Sequence, residues 1–327
     1  MTATEDTGPP PLEIGVTPWL GDWSGSAHTL AGQAEVAERL GFHSFWLPES
    51  HFTGSSANPA PLLRLAALAA RTTRLLLGTT SYLLPVRHPL HVAAEVATLD
   101  CLSQGRVILG VGRGFRPALF RAFDVASNEK RDIFEAALAQ ILSAWRGEPI
   151  PGASKPGEPP VTLSPLPVQK PHPPIWLAGF GPKAMAQVGR LGLPYLASPL
   201  ETQGELLENT ARQRAARGPD FDGERLAVPI MRTTFVARDP ALVERVRDAL
   251  RREAAAMAAA PLARLRRHAQ AELDDWALVG DPDFVAERVT SYREKLGMTH
   301  LVARVQVPGA GPEAIEESVA LLAKLPR

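Results

Sequence analysis

The sequence of 327 residues predicts an α/β fold in the form of a single (β/α)8 TIM barrel. Short apolar runs alternate with longer segments of helical period along the whole chain, as a parallel sheet with helical crossovers requires. The runs are apolar on both faces, which is typical of strands between a filled interior and a layer of helices. An open doubly wound sheet has the same local pattern, but eight strand–helix pairs favour the closed barrel.

The predicted strands are the apolar runs Leu12–Thr17, Ser44–Leu47, Leu75–Tyr82, Val107–Gly112, Ile175–Ala178, Tyr195–Ser198, Leu226–Ala237 and His300–Val305. Several helical segments begin with proline, whose missing N–H costs nothing in the first turn of a helix. The predicted helices are Thr29–Leu40, Pro61–Thr72, Pro89–Leu102, Glu129–Arg146, Pro182–Leu191, Thr202–Arg217, Pro240–Ala259, Pro282–Leu296 and Pro312–Lys324.

Two stretches are rich in proline and glycine. Residues 1–11 are predicted to be a flexible tail. Residues 147–173 are predicted to be an excursion within the one domain, because the segments before and after them are apolar runs of the same kind. Residues 255–282, before the last full barrel helix, are interpreted either as a lid or as a solvated amphipathic helix. The barrel is therefore expected to carry insertions after its fourth and seventh strands.

Composition limits the class of protein. Lys plus Arg and Asp plus Glu both count 35, so no net field favours nucleic acid or an anionic membrane. With no run of eighteen apolar residues and an acidic, proline-rich start, the chain is expected to be soluble and cytoplasmic. The single cysteine, Cys101, excludes an internal disulfide and a cysteine-clustered zinc site, and it is expected to pack inertly.

A metal site is not predicted. His88, His91 and Glu95 have a spacing that could bind a metal, but His88 stands at the start of a helix whose face should pack against the barrel. The HExxH, Gly-x-Ser-x-Gly and Walker motifs do not occur in the sequence, which removes the usual support for zinc hydrolysis, serine hydrolysis and P-loop chemistry.

Two candidate anion-binding elements follow neighbouring predicted strands, at the barrel end where chemistry is expected. Arg113 stands between two glycines that would let backbone approach a ligand, and Gly179, Phe180, Gly181 and Lys183 surround a helix start whose dipole favours negative charge. A salt bridge for the arginine and a tight turn for the glycines are the alternatives. Together the elements predict a phosphate monoester site, as for a mononucleotide cofactor.

Aromatic side chains are frequent after the predicted strands. They suit a planar ring system and an apolar substrate if they share one rim, although each taken singly fits ordinary packing. The candidate pocket residues are Trp19, Trp23, Ser50, Phe52, Tyr82 and Phe115.

Four ordered blocks, residues 34–52, 77–125, 173–194 and 278–302, resemble the bacterial luciferase-like flavin monooxygenases. The most specific block contains "GVGRGF", and the first ends in "ESHF", which is similar to the "EHHF" of the luciferase-type branch. The resemblance implies a (β/α)8 barrel, a homodimer, and reduced FMN or a deazaflavin at the barrel mouth.

Residue roles follow from the same resemblance. Arg113 and the loop from Gly179 to Ala184 would hold the flavin phosphate, and Thr79 and Thr80 would support the flavin ring. Ser50 replaces the first histidine of the family's pair, so aldehyde oxidation with light emission is not expected. The acid–base candidates are His51 and His88, because imidazole exchanges protons in the physiological pH range.

Three functions remain open from the sequence. In the first, reduced FMN from a separate reductase and O2 insert one oxygen atom into an apolar substrate. The second is deazaflavin-dependent hydride transfer without oxygen, which the "ESH" segment disfavours. The third is a catalytically silent flavin-binding subunit, suggested by Ser50.

Overall fold

The computed structural model describes residues 10–21, 26–218, 226–260 and 263–327. The predicted α/β class with parallel strands is confirmed. The described residues form two compact units. The first unit contains residues 16–184, and the second contains the described part of 1–15 together with 185–327.

The strands in chain order are β1 (Glu13–Val16), β2 (Ser44–Leu47), β3 (Leu76–Thr79), β4 (Tyr82–Leu83), β5 (Val107–Gly112), β6 (Ile175–Ala178), β7 (Tyr195–Leu196), β8 (Pro229–Val236), β9 (Ala277–Gly280) and β10 (His300–Arg304). The helices are α1 (Ala27–Arg39), α2 (Pro61–Ala69), α3 (Pro89–Leu102), α4 (Pro117–Ala122), α5 (Lys130–Trp145), α6 (Pro182–Arg190), α7 (Gln203–Ala216), α8 (Pro240–Ala255), α9 (Ala263–Gln270), α10 (Pro282–Leu296) and α11 (Pro312–Leu322).

In the first unit, β2, β3, β5 and β6 are parallel neighbours in that order. Their register pairs Leu47 with Thr79 and Val111 with Leu177. Because parallel strands end at the same edge of a sheet, the segments that follow these four strands share one edge. The short strand β4 also pairs with β5 at this edge.

The second unit has its own parallel set. β1 lies beside β10, β10 pairs with β8, and β8 pairs with β9. A parallel bridge joins Ala197, just after β7, to Ile230 in β8. Buried apolar side chains from strands and helices fill the interior of each unit, as the unbroken apolar runs predict.

Every predicted strand overlaps an observed one, but two regions differ from the prediction. The predicted run Leu75–Tyr82 is broken after Thr79, and the Thr80–Ser81 peptide that follows is cis. The segment 255–282, predicted as a lid or a solvated helix, contains α9 and the buried strand β9. β9 was not predicted, because four apolar residues without alternation fit a buried helical turn as well as a strand.

Residues 147–173, the predicted excursion, contain no helix or strand. Asp100 in α3 anchors this segment by accepting hydrogen bonds from the Gln169 backbone N–H at 2.9 Å and from its amide at 2.7 Å. The Cys101 thiol donates to the Leu166 carbonyl at 3.4 Å. No helix in the described ranges combines the length and apolar character needed to cross a lipid bilayer.

Candidate functional site

The two predicted anion elements begin side by side in the first unit. Val111 and Leu177 are directly paired across β5 and β6, and Arg113 and Gly179 each lie two residues further along. Adjacent strands are about 4.8 Å apart, so register alone places these two segments next to each other at the sheet edge.

A second cation, Arg131, joins the two elements. Its guanidinium donates from Nη1 to the backbone carbonyl of Lys183 at 2.6 Å. Burial, the largest cause, and the positive charge of Arg131 together lower the pKa of Arg113 to about 10, against an opposing effect of Glu135. Two guanidiniums close to each other create a positive local potential that favours a bound anion.

The Gly179–Lys183 turn before α6 is the candidate anion cradle, and its centre is a glycine in a left-handed conformation. Gly181 has a φ of +75°, a left-handed conformation that favours glycine, and a Cβ placed there would meet no atom within 4 Å. The helix begins directly afterwards at Pro182, and Ala184 N–H closes its first turn onto the Gly181 carbonyl at 3.0 Å. Open space over a helix N-terminus suits a phosphate.

The glycines beside Arg113 serve a different purpose from the one expected. A Cβ on Gly112 would lie 2.2 Å from the Ser81 hydroxyl oxygen. Gly114 has a φ of +72° and lies against Leu119 and Phe120. The expectation that these glycines open a path for a ligand is therefore replaced: they admit neighbouring protein atoms and a turn.

The two threonines after β3 differ in their surroundings. The Thr79 hydroxyl is buried and donates to the Gly110 carbonyl at 2.8 Å, so it ties β3 to β5. The Thr80 backbone N–H donates to the Leu47 carbonyl at 2.8 Å, while its hydroxyl is buried with no hydrogen-bond partner among the described residues. A buried hydroxyl without a partner is a place where a ligand's polar atom would fit.

His51, after β2, is held by a buried ion-pair cluster. Glu49 Oε1 accepts from His51 Nε2 at 2.5 Å and from Arg87 Nη1 at 2.7 Å, and Oε2 accepts from the Leu83 backbone N–H at 2.9 Å. The Glu49 side chain has no exposed surface, and the imidazole is only 8% exposed. The guanidinium of Arg87 stacks on the ring of Tyr82 at 4.0 Å.

The other acid–base candidate, His88, has a structural partner. Its Nδ1 accepts from the Leu90 backbone N–H at 3.3 Å and so caps the start of α3, and the side chain is exposed. The His91 ring lies 5.8 Å away. No group of three His, Cys, Asp or Glu side chains in the part of the chain that the structure describes is arranged to hold a metal ion.

One predicted pocket residue, Phe52, lies in a cluster of aromatic rings beside His51. Phe52 is 68% exposed, has a φ of +58°, and lies 6.1 Å from the ring of Phe123. His51 contacts both rings, at 5.8 and 5.2 Å. This aromatic cluster (His51, Phe52, Phe123) includes one residue, Phe123, that the sequence did not indicate.

The remaining pocket candidates have varied environments. Trp19 is buried edge-on against Phe45 at 6.1 Å, and the Tyr82 hydroxyl donates to Glu95 at 3.0 Å. Ser50 bonds to Ser56 and Asn58 within its own loop, whereas Phe115 is 46% exposed. Phe180, predicted for the cofactor, is half-buried beside Gly181. Trp23 lies outside the described residues.

A family model for luciferase-like monooxygenases matches residues 12–300. The chain belongs to the luciferase-like monooxygenase family. This match spans both compact units and confirms the resemblance seen in the sequence.

Named members of the family differ in cofactor. The oxygenase component of a flavin-dependent trigonelline monooxygenase from Acinetobacter baylyi is 29% identical over 208 residues, 62% of this chain and 57% of the relative. An F420-dependent glucose-6-phosphate dehydrogenase from Beutenbergia cavernae is 32% identical over 296 residues, 82% of this chain and 84% of the relative. The chain spans about half the length of several curated relatives that it matches.

Among solved structures of the family's fold, monooxygenase RslO1 from Streptomyces bottropensis superposes with a TM-score of 0.75. It is 27% identical, and the match covers 96% of this chain and 98% of that one. The architecture is therefore shared over nearly the whole length.

Proposed function

We propose that this member of the luciferase-like family binds reduced FMN through its terminal phosphate and uses O2 to insert one oxygen atom into an apolar small molecule. The observation that carries the proposal is the placement of Arg113 and the Gly179–Lys183 turn at the ends of paired strands, with Arg131 bonded to that turn. The desolvated guanidinium of Arg113, the guanidinium of Arg131 and a helix N-terminus are donors suited to a phosphate monoester.

The residues present also fit the flavin ring, at the end of the cofactor away from the phosphate. Arg113, Arg131 and Lys183 would hold the phosphate, and the Thr80 hydroxyl, buried without a partner among the described residues, would meet the flavin ring. β2 is two strand spacings from β5, about 10 Å, so the proposed phosphate site and His51 would lie at different ends of one bound mononucleotide. When bound, reduced FMN supplies the electrons that activate oxygen.

The chain's own residues would bind the ligands, shield them from water and exchange a proton. His51 would give or take a proton at the nitrogen that does not face Glu49. Phe52 and Phe123 would surround the apolar part of the substrate and exclude water from it. Trp19, Trp23, Tyr82 and Phe115 remain proposed pocket residues, and His88 remains a proposed second acid–base group.

Assembly and partners are part of the proposal. The relative from Acinetobacter is an oxygenase component, which supports delivery of reduced flavin by a separate reductase. A homodimer and a closed (β/α)8 barrel, with insertions after its fourth and seventh strands, are the proposed assembly and topology.

A second candidate is deazaflavin-dependent hydride transfer. The F420-dependent relative matches more of this chain than the flavin-dependent one, 82% against 62%, and this favours keeping the alternative. Hydride transfer would need no oxygen, so activity without air separates the two functions.

The test begins with the small molecule that purified protein releases on denaturation, identified by its mass. Anaerobic titrations with reduced FMN and with reduced deazaflavin then give two dissociation constants. Tighter binding of FMN, with oxygen consumption on admission of air and substrate, supports the monooxygenase. Tighter binding of the deazaflavin, with turnover under argon, supports the alternative, and binding of neither contradicts both.

A further inference from the structure

We propose that Glu49 is a positioning residue for proton transfer, whose buried carboxylate fixes the His51 imidazole through Nε2–H and leaves Nδ1 to exchange a proton with substrate. This inference rests on the proposed function for its catalytic part. Its structural part concerns only the first unit and holds with or without a flavin.

The hydrogen-bond inventory around Glu49 dictates which nitrogen carries the proton. A carboxylate only accepts, and Glu49 faces three donors: Arg87 Nη1 at 2.7 Å, the Leu83 backbone N–H at 2.9 Å and His51 Nε2 at 2.5 Å. His51 Nε2 therefore carries a hydrogen in this arrangement. The other nitrogen, Nδ1, is then an acceptor in neutral imidazole and a donor in imidazolium.

Arg87 offsets the cost of burying the Glu49 carboxylate. Burying an unpaired carboxylate is costly, and the guanidinium supplies the counter-charge. Arg87 is itself held by the carbonyls of Leu83 at 3.1 Å and Pro59 at 3.2 Å and by the Tyr82 ring. The carboxylate is thus fixed from two sides, so it can fix the imidazole in turn.

The surroundings of the imidazole point to a role beyond packing. Phe123 meets the His51 ring at an interplanar angle of 79°, and Phe52 lies on it at 47°. Both phenylalanines keep considerable exposed surface, 40% and 68%. The fixed imidazole therefore stands beside open apolar rings, where an apolar substrate would bury that surface and come within reach of Nδ1.

A purely structural reading is that Glu49 only anchors the loop through Arg87 and Leu83. Under that reading the orientation of His51 has no consequence for turnover. The two interpretations differ in two respects. They differ in whether His51 Nε2 carries a hydrogen-bonded proton, and in whether the loss of that proton lowers kcat.

The experiment is proton NMR of the imidazole N–H region together with steady-state kinetics. Wild-type protein without flavin should show a downfield, slowly exchanging His51 Nε2 proton, identified by its loss in His51→Gln. Glu49→Gln should abolish the signal, because an amide offers one acceptor oxygen to three donors. Glu95→Gln, the same change at a carboxylate that accepts from Tyr82 in this region, should keep it.

Kinetics then tests the catalytic part. Glu49→Gln should lower kcat about 10-fold or more while KM and the FMN dissociation constant stay within about 2-fold, since a positioned proton-transfer group acts on the chemical step. A wild-type spectrum without the proton overturns the proposal even if Glu49→Gln fails to fold. An unchanged kcat with the signal lost also overturns it, whereas absence of flavin binding in wild-type protein contradicts the proposed function alone.

Discussion

Arg131 donates a hydrogen bond from its guanidinium to the carbonyl oxygen of Lys183 at 2.6 Å. This bond ties the first turn of α5 to the first turn of α6, and it places a second cation beside Arg113. The candidate phosphate site thus consists of three elements that are far apart in the sequence: the end of β5, the start of α5 and the start of α6.

Arg113→Ala should weaken binding of reduced FMN by about 1.5–3 kcal/mol, roughly 10- to 150-fold, because a charge-assisted hydrogen bond to phosphate is lost. Anaerobic fluorescence titration measures the change. Arg116→Ala is the matched control: Arg116 is exposed three residues further on, and its removal should leave the affinity unchanged. Equal affinities for wild type and Arg113→Ala would remove Arg113 from the site.

Gly181→Ala should lower the free energy of unfolding by about 1–2 kcal/mol, because a left-handed conformation strains any residue with a Cβ. It should also weaken FMN binding, since a methyl group would enter the cradle. Gly152→Ala is the matched control. Gly152 lies in the segment 147–173, has a φ of +74°, and a Cβ placed there would also meet no atom within 4 Å. This variant should cost similar stability in chemical denaturation and leave FMN binding unchanged; an equal loss of affinity in both variants would argue against a specific cradle.

Gly78→Ala should destabilise the protein by about 1–3 kcal/mol through overpacking. A Cβ there would lie 2.2 Å from the ring of Trp46, which is fully buried and stacked on Trp176 at 4.8 Å. Gly32→Ala in α1 meets nothing within 4 Å and should stabilise by about 0.5–1 kcal/mol, because glycine disfavours a helix interior. Urea denaturation of both variants should give shifts of opposite sign.

The buried carboxyl of Glu201 should impose a pH dependence on stability. Burial raises its pKa from 4.5 to about 6, against the opposing hydrogen bonds from Tyr195 and Ser198. The folded state therefore binds this proton more tightly than the unfolded chain does. The free energy of unfolding should fall as pH rises from about 4.5 to about 6, by up to about 2 kcal/mol from this group. Glu201→Gln should remove that part of the dependence; identical pH profiles would contradict the assignment.

The strands were largely predictable, and the reason is visible in particular runs. Ser44–Leu47, Val107–Gly112 and Ile175–Ala178 match the observed strands at both ends, because an unbroken apolar run between turn residues specifies a strand buried on both faces. The break after Thr79 was not predictable from composition. Ser81, just after the break, lies against Gly112, and this contact joins segments about 30 residues apart, which local sequence does not specify.

The candidate site was only partly predictable. Arg113 and Gly181 stand out because a cation between glycines and a glycine before a helix are local signals. Arg131 has a weaker signal, a cation in the first turn of a helix, where the dipole disfavours positive charge. The pairing of Glu49 with His51 and Arg87 depends on two loops meeting, and no spacing in the sequence specifies it.

The comparison of FMN with riboflavin tests the central claim most directly, because the two ligands differ only in the terminal phosphate. Reduced FMN should bind at least about 10-fold more tightly than reduced riboflavin, and Arg113→Ala should remove most of that difference. Equal affinities of wild-type protein for the two ligands would contradict a phosphate site formed by Arg113, Arg131 and the Gly179–Lys183 turn.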